Sequence, residues 1–162
     1  LANILKEFKE GTFESRELFR KAEISIQRGD YKSAASLLNE ALKIAPENPL
    51  YISHLGLCAG MLGNQILGEK SCRKAILMAP ATPILFVNLG RILLEQGKRK
   101  EAREQFMHAY KLDNTNAPAA LELSRMGVRK RPVISFLKRD NPLNIMLGKF
   151  RAWLLSRKAH LK

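Results

Sequence analysis

A 34-residue interval constrains this chain more than any other feature. Ala41, Ala75 and Ala109 are spaced by it, as are Gly29, Gly63 and Gly97. Pro46 and Pro80 keep the same interval, with Asn114 in the third place. Leu55-Gly56 and Leu89-Gly90 are in phase, and Lys21-Ala22 stands at the equivalent place upstream. Repeats of this period are produced by stacked helical hairpins, none of which can bury its apolar face alone. The spacing therefore predicts an all-α solenoid, with copies at residues 15–48, 49–82 and 83–116.

The third copy shows how one hairpin is written. Leu85, Phe86, Leu89, Gly90 and Leu93 recur at helical spacing, and Ala102, Phe106, Ala109 and Tyr110 do the same further on. Thr82 suits an N-cap, and Pro83 suits the first helical position, where a missing N–H costs no hydrogen bond. Gly97 fits the left-handed residue that ends a helix and lets the chain reverse. Small residues at Ala22, Gly56 and Gly90 allow the paired helix to approach. Ala34 and Ala102 do the same from the other side, and Leu38 and Phe106 fill the remaining space. Gly68 takes a place where alanine would serve a helix better by ~1 kcal/mol. Cys72 replaces a larger residue, and Asn114 replaces proline, which predicts a less rigid third exit.

These residues resemble the tetratricopeptide repeat family. The first copy supplies Leu18, Ala22, Gly29, Tyr31, Ala34, Leu38, Ala41 and Pro46. The second supplies Ile52, Leu55, Gly56, Gly63, Cys72, Ala75 and Pro80, and the third Phe86, Leu89, Gly90, Gly97, Ala102, Phe106 and Ala109. The resemblance implies a right-handed superhelix whose first helices line a concave groove, which usually takes a peptide or a helix of a partner protein. The family's groove places fall on Arg16, Phe19, Arg20, Glu23 and Gln27 in the first copy. In the second they fall on Leu50, Ser53, His54 and Leu57. The third contributes Ile84, Val87, Asn88, Arg91 and Glu95, and the next helix Leu121, Glu122 and Arg125. One subfamily grips a C-terminal carboxylate through a set of lysines, asparagines and an arginine. The matching places here hold Phe19, Glu23, His54, Ile84 and Asn88, so that form of recognition is not expected.

The flanks depart from the period. Residues 1–14 read as a leading helix and linker, with Ile4, Leu5 and Phe8 on one side and a break at Gly11-Thr12. Residues 117–131 read as a capping helix, because a solenoid must cover its last apolar face. Residues 132–162 read as a basic segment containing an amphipathic helix over 142–156, with Leu143, Met146, Leu147, Phe150, Trp153 and Leu154 on one stripe. The net charge of +13 is concentrated there. Residues 125–162 hold eleven Lys/Arg against Asp140, a balance of +10 that leaves +3 for residues 1–124. Arg129, Lys130, Arg131, Lys138 and Arg139 form one basic group, and Lys149, Arg151, Arg157 and Lys158 a second. Such a segment could dock on an anionic membrane or an acidic partner. It could also touch nucleic acid through phosphate contacts, although no recognition motif accompanies it, or its apolar stripe could pack back against the last repeat.

Little in the chain suggests chemistry. His54, His108 and His160 are far apart, and no His/Cys/Asp cluster has metal-ligand spacing. The glycines punctuate hairpins and form no phosphate-cradling loop. Cys58 and Cys72 read as buried small hydrophobes, and two cysteines suit a reducing compartment, favouring the cytoplasm. No run of about 18 apolar residues could span a bilayer. A first residue of Leu1 suggests a segment of a longer protein. The expectation is a non-enzymatic scaffold without cofactor, binding a partner in its groove and belonging to a larger protein or complex. The alternative is an adaptor that docks through its basic C-terminal segment.

Overall fold

The computed structural model of the protein describes residues 2–127, together with Pro142, Met146 and Leu147. Residues 2–127 form seven α-helices and no strand: α1 (Ala2–Gln27), α2 (Tyr31–Ile44), α3 (Pro49–Met61), α4 (Gln65–Met78), α5 (Pro83–Glu95), α6 (Arg99–Leu112) and α7 (Ala117–Arg125). The 34-residue phase is kept to the residue. α2, α4 and α6 begin at Tyr31, Gln65 and Arg99, and α3, α5 and α7 at Pro49, Pro83 and Ala117. Consecutive helices pair as α1/α2, α3/α4 and α5/α6, each hairpin packs on the next, and α7 covers α6 and α5. This is the architecture of a helical-repeat solenoid. Pro142, Met146 and Leu147 are helical, and the remainder of the expected helix 142–156 lies outside the described residues.

Turn chemistry explains the regularity. Gly97 has φ +76°, a conformation that needs the absence of a Cβ, and Gly29 and Gly63 repeat it between the helices of the other two hairpins. Asp30 and Asn64 cap α2 and α4 by accepting from the N–H of Ser33 and Leu67. Asn48 and Asn116 cap α3 and α7 in the same way, each followed by proline at the first helical position or the next. Thr82 sits at the N-cap of α5 but its side chain makes no capping hydrogen bond, contrary to the sequence expectation. Lys98, ahead of α6, has no side chain able to accept one.

The core forms two adjoining clusters. Ala22, Ala34, Leu38, Ala41, Tyr51 and Cys58 join α1, α2 and α3, and a larger group around Leu89, Ile92, Leu93 and Phe106 joins α3 to α7. α5 is the most deeply enclosed helix, with an unbroken buried run from Leu85 to Gly90. The hairpins solve one packing problem in different ways. A Cβ on Gly90 would lie 2.4 Å from the Phe106 ring, so the large aromatic of α6 occupies the space that the glycine leaves. In α3/α4 the place of Phe106 is held by Cys72, and the helices close the difference by meeting backbone to backbone. A Cβ on Gly68 would lie 2.5 Å from the Gly56 carbonyl oxygen and 2.9 Å from the Gly60 nitrogen. Gly68 and Cys72 are thus two halves of one solution.

Three further expectations are corrected. The break at Gly11-Thr12 does not occur, since α1 runs continuously from Ala2 to Gln27. One glycine weakens a helix but leaves its hydrogen-bond ladder intact, and the Ser15 hydroxyl adds a bond to the Thr12 carbonyl at 3.1 Å. α7 ends at Arg125, short of the helix expected over 117–131, because Gly127 with φ +72° carries the chain out of helical geometry. Tyr110, placed on the apolar stripe by spacing, is 38% exposed. At the third exit, where Asn114 replaces proline, the Asp113 carboxylate accepts from the Thr115 N–H at 2.9 Å and hydroxyl at 2.6 Å.

Candidate functional site

The first helices of the hairpins share one side of the solenoid, and a cleft of about 380 Å³ opens there. α1 contributes Ile26 and Gln27, and α2 its first residue, Tyr31. Leu57 and Met61 come from α3, Arg91, Leu94 and Glu95 from α5, and Glu122 and Arg125 from α7. The 34-residue phase is what brings them together. Gln27, Met61 and Glu95 are equivalent positions, as are Leu57, Arg91 and Arg125. The floor is apolar and the rim charged. Such a surface suits an extended or helical segment that presents apolar side chains inward and polar ones outward.

The charges on the rim are organised around Glu122. Arg91 Nε donates to Glu122 Oε1 at 2.9 Å, and Arg125 Nη1 lies 3.7 Å from the same oxygen. Glu122 is nearly buried, with 8% of its side chain exposed against 65% for Arg125. The pair therefore ties α7 to α5 and leaves the Arg125 guanidinium facing solvent. Glu95 stands exposed on the same wall.

Toward the other end of this side, the side chains are engaged with one another. Phe19 stacks on Tyr51, with ring centroids 5.0 Å apart, and meets the edge of His54 at 4.9 Å. His54 Nδ1 lies 2.8 Å from the Leu50 carbonyl, which makes Nδ1 the protonated nitrogen. Burial is the main cause that lowers the His54 pKa to about 4, with the Arg91 charge adding to it and the Leu50 hydrogen bond opposing it. His54 is accordingly neutral near pH 7. Burial raises the Glu23 carboxyl above its usual range.

The expected groove residues therefore divide. Leu57, Arg91 and Arg125 line the cleft, with Gln27, Glu95 and Glu122. Ser53, Val87 and Asn88 do not face a partner: each is fully buried. Asn88 Nδ2 donates to Ser53 Oγ at 3.1 Å, and Cys72 Sγ donates to the Ser53 carbonyl at 3.4 Å, so this polar chain links α5, α3 and α4 inside the core. His54 is buried as well, and Phe19 is committed to the aromatic cluster. Arg20 is exposed and paired with Glu17 at 3.1 Å, while Arg16 and Leu121 are exposed outside the cleft. Leu50 and Ile84 are half-buried near the starts of their helices.

Ile26, Tyr31, Met61 and Leu94 line the cleft without having been expected there. Met61 is 34 residues beyond Gln27, and the repeat itself could have found it. Cys58 and Cys72 are free and buried, and burial pushes their thiols up to about 11 and about 12. Among the described residues no three His, Cys, Asp or Glu side chains cluster as metal ligands, and no helix is long and apolar enough to cross a membrane. The basic residues Arg129, Lys130, Arg131, Lys138, Arg139, Lys149, Arg151, Arg157 and Lys158 lie outside the described residues.

Comparison with known proteins agrees with this architecture. Residues 15–48 and 85–116 each match a family model described as tetratricopeptide repeat. The chain is 30% identical over 102 residues to human tetratricopeptide repeat protein 7B, which covers 63% of this chain and 12% of that protein. It is 37% identical over 92 residues to a TPR repeat-containing protein of Methanocaldococcus jannaschii, covering 56% of this chain and 16% of that one. The chain thus spans less than a fifth of the length of these relatives. Among solved structures, the first TPR domain of Spaghetti (RPAP3) bound to the HSP90 peptide SRMEEVD superposes with a TM-score of 0.57. That match has 18% identity and covers 70% of this chain and 92% of the other. The Sgt2 TPR domain from Aspergillus fumigatus gives a TM-score of 0.58 at 22% identity, covering 70% and 76%. The repeat phase, the hairpin geometry and these matches define a helical-repeat protein of the solenoid class. Within that class, residues 15–48 and 85–116 are tetratricopeptide repeats.

Proposed function

We propose that the protein is a non-catalytic scaffold that binds a peptide or helix of a partner protein in the cleft between α1, α3, α5 and α7. The observation that carries this reading is the composition of the cleft, whose walls come from every hairpin and from α7 and combine an apolar floor with a charged rim. The RPAP3 domain described above holds a peptide on the same fold, which supports the reading by analogy. Glu23 and the enclosed His54 stand where a carboxylate-gripping domain would need donors, so the ligand is bound along its length rather than by its terminus.

Peptides selected on the 162-residue chain from a displayed random library provide the test. Their affinities are then measured for the wild type and for Glu95→Arg and Arg125→Glu, which alter exposed rim residues without touching the core. Selected peptides should lose about tenfold in affinity to at least one variant. Equal binding to all three proteins would place the ligand elsewhere and reject the cleft. Leu57→Arg is unsuitable, because Leu57 is 1% exposed and its replacement would disrupt the fold.

A further inference from the structure

The helix α4 breaks the surface pattern of the solenoid. Ile66 and Leu77 are 85% and 84% exposed, the highest exposures among the large apolar residues described. At the equivalent places α2 carries Lys32 and Lys43, and α6 carries Lys100 and Lys111. Both flanking repeats thus put lysine where the middle repeat puts an aliphatic side chain. The charges change in the opposite sense. Lys70 and Lys74 occupy the places of Glu104 in α6 and Glu40 in α2, and Leu67, half exposed, occupies that of Glu101. The one acid on α4, Glu69, is already engaged with Arg73 at 2.8 Å, Lys98 at 3.4 Å and Gln96 at 2.9 Å. Lys70 and Lys74 pair with no acid among the described residues.

Eleven residues separate Ile66 from Leu77, three helical turns, so both lie on one stripe roughly 16 Å apart, with Lys70 and Arg73 between them. A trough of about 840 Å³ runs along this face to the turn that carries Gln96 and Lys98. From this geometry we infer that the outer face of α4 is a second docking surface, and that its occupant is an acidic amphipathic helix of a partner protein. Two apolar residues of that helix would cover Ile66 and Leu77, and carboxylates between them would face Lys70, Arg73 and Lys74. Charge selects this occupant. The chain's own residues 125–162 carry eleven Lys/Arg and one acid, and a second copy would bring a cationic face against a cationic face. Two aliphatic anchors with cations between them, rather than around them, offer little to insert in a bilayer.

The full chain is titrated with a labelled acidic helical peptide that carries two leucines eleven residues apart and glutamates between them. A scrambled peptide of the same composition is the control. The wild type should bind the patterned peptide about tenfold more tightly than the scrambled one. Ile66→Lys/Leu77→Lys, which restores the residues of the neighbouring repeats at exposed positions, should abolish that preference. Lys70→Glu/Lys74→Glu should do the same, and added salt should weaken the wild-type complex. Circular dichroism and thermal melting verify that each variant is folded. Equal binding of the two peptides, or undiminished binding by the folded Ile66→Lys/Leu77→Lys variant, overturns the proposal. Two further outcomes overturn it in favour of another occupant: wild-type sedimentation with phosphatidylserine vesicles that this variant loses, or concentration-dependent dimers that it abolishes. Because the cleft substitutions Glu95→Arg and Arg125→Glu change residues that do not line the trough, and the α4 substitutions change none that line the cleft, failure here leaves the cleft reading standing.

Discussion

At Gly68, helix propensity and packing pull in opposite directions. Alanine would favour the helix by ~1 kcal/mol, but its Cβ would meet backbone atoms of Gly56 and Gly60, which cannot rotate away as a side chain can. Packing wins, so Gly68→Ala should lower stability by about 1–3 kcal/mol in urea denaturation. A stabilised variant would show that α3 and α4 separate freely. His54 makes a second residue-scale prediction. Its folded pKa of about 4 lies below the usual 6.5, so its contribution is fully present above pH 6.5 and is lost as pH falls toward 4. The loss approaches roughly 3 kcal/mol once the pH is below the folded pKa. Denaturation curves at several pH values should show this component in the wild type and lack it in His54→Gln. The sequence marked His54 as a groove residue because it lies in phase with groove places. Only the structure, with Phe19 packed against it and 5% of it exposed, reveals that it is interior.

Individual elements show which local signals suffice. The starts of α2, α3, α4 and α7 follow from capping side chains and that of α5 from Pro83, while α6 has neither and starts after the Gly97 turn; the glycine turns follow from the need for positive φ. Side-chain caps are present at Asp30, Asn48, Asn64 and Asn116 but absent at Thr82. Thr82→Asn should therefore stabilise the protein by about 0.5–1 kcal/mol, read as a rise in melting temperature with unchanged helix content. No change would mean that Pro83 alone sets the entry to α5. The continuity of α1 through Gly11 was not legible, because a glycine lowers helix stability by an amount that neighbouring turns can offset. The end of α7 was misplaced for a related reason. The capping helix expected over 117–131 ends at Arg125, because Gly127 turns the chain first.

For the whole molecule, stability passes through contacts between neighbouring repeats, as in any one-dimensional array. α5 lies at the centre of the larger core cluster, and α7 is held at its edge by few apolar contacts and by Glu122. Amide exchange should be slowest in α5 and faster in α7. Glu122→Ala removes a charge-assisted hydrogen bond to Arg91 and should cost about 1–3 kcal/mol locally. Exchange should accelerate in α7 while α2 remains unchanged. Uniform acceleration along the chain would show that the repeats unfold as one unit.

The sequence by itself determined the period, the helix order and the identity of the repeat, because these depend on local spacing: where glycine reverses the chain, where a cap begins a helix, where alanine lets one approach. It also located the inner helices, and with them Arg91, Arg125 and Leu57. Depth was decided only by the tertiary structure. Ser53, Val87 and Asn88 share a repeat phase with exposed positions, yet the stacking of α3 on α5 buries them. Ile66 and Leu77, by contrast, are aliphatic residues at places where the neighbouring repeats carry lysine, and they emerge on the outside of α4. Periodicity assigns a residue to a face of a helix, but what lies against that face depends on residues one or two repeats away.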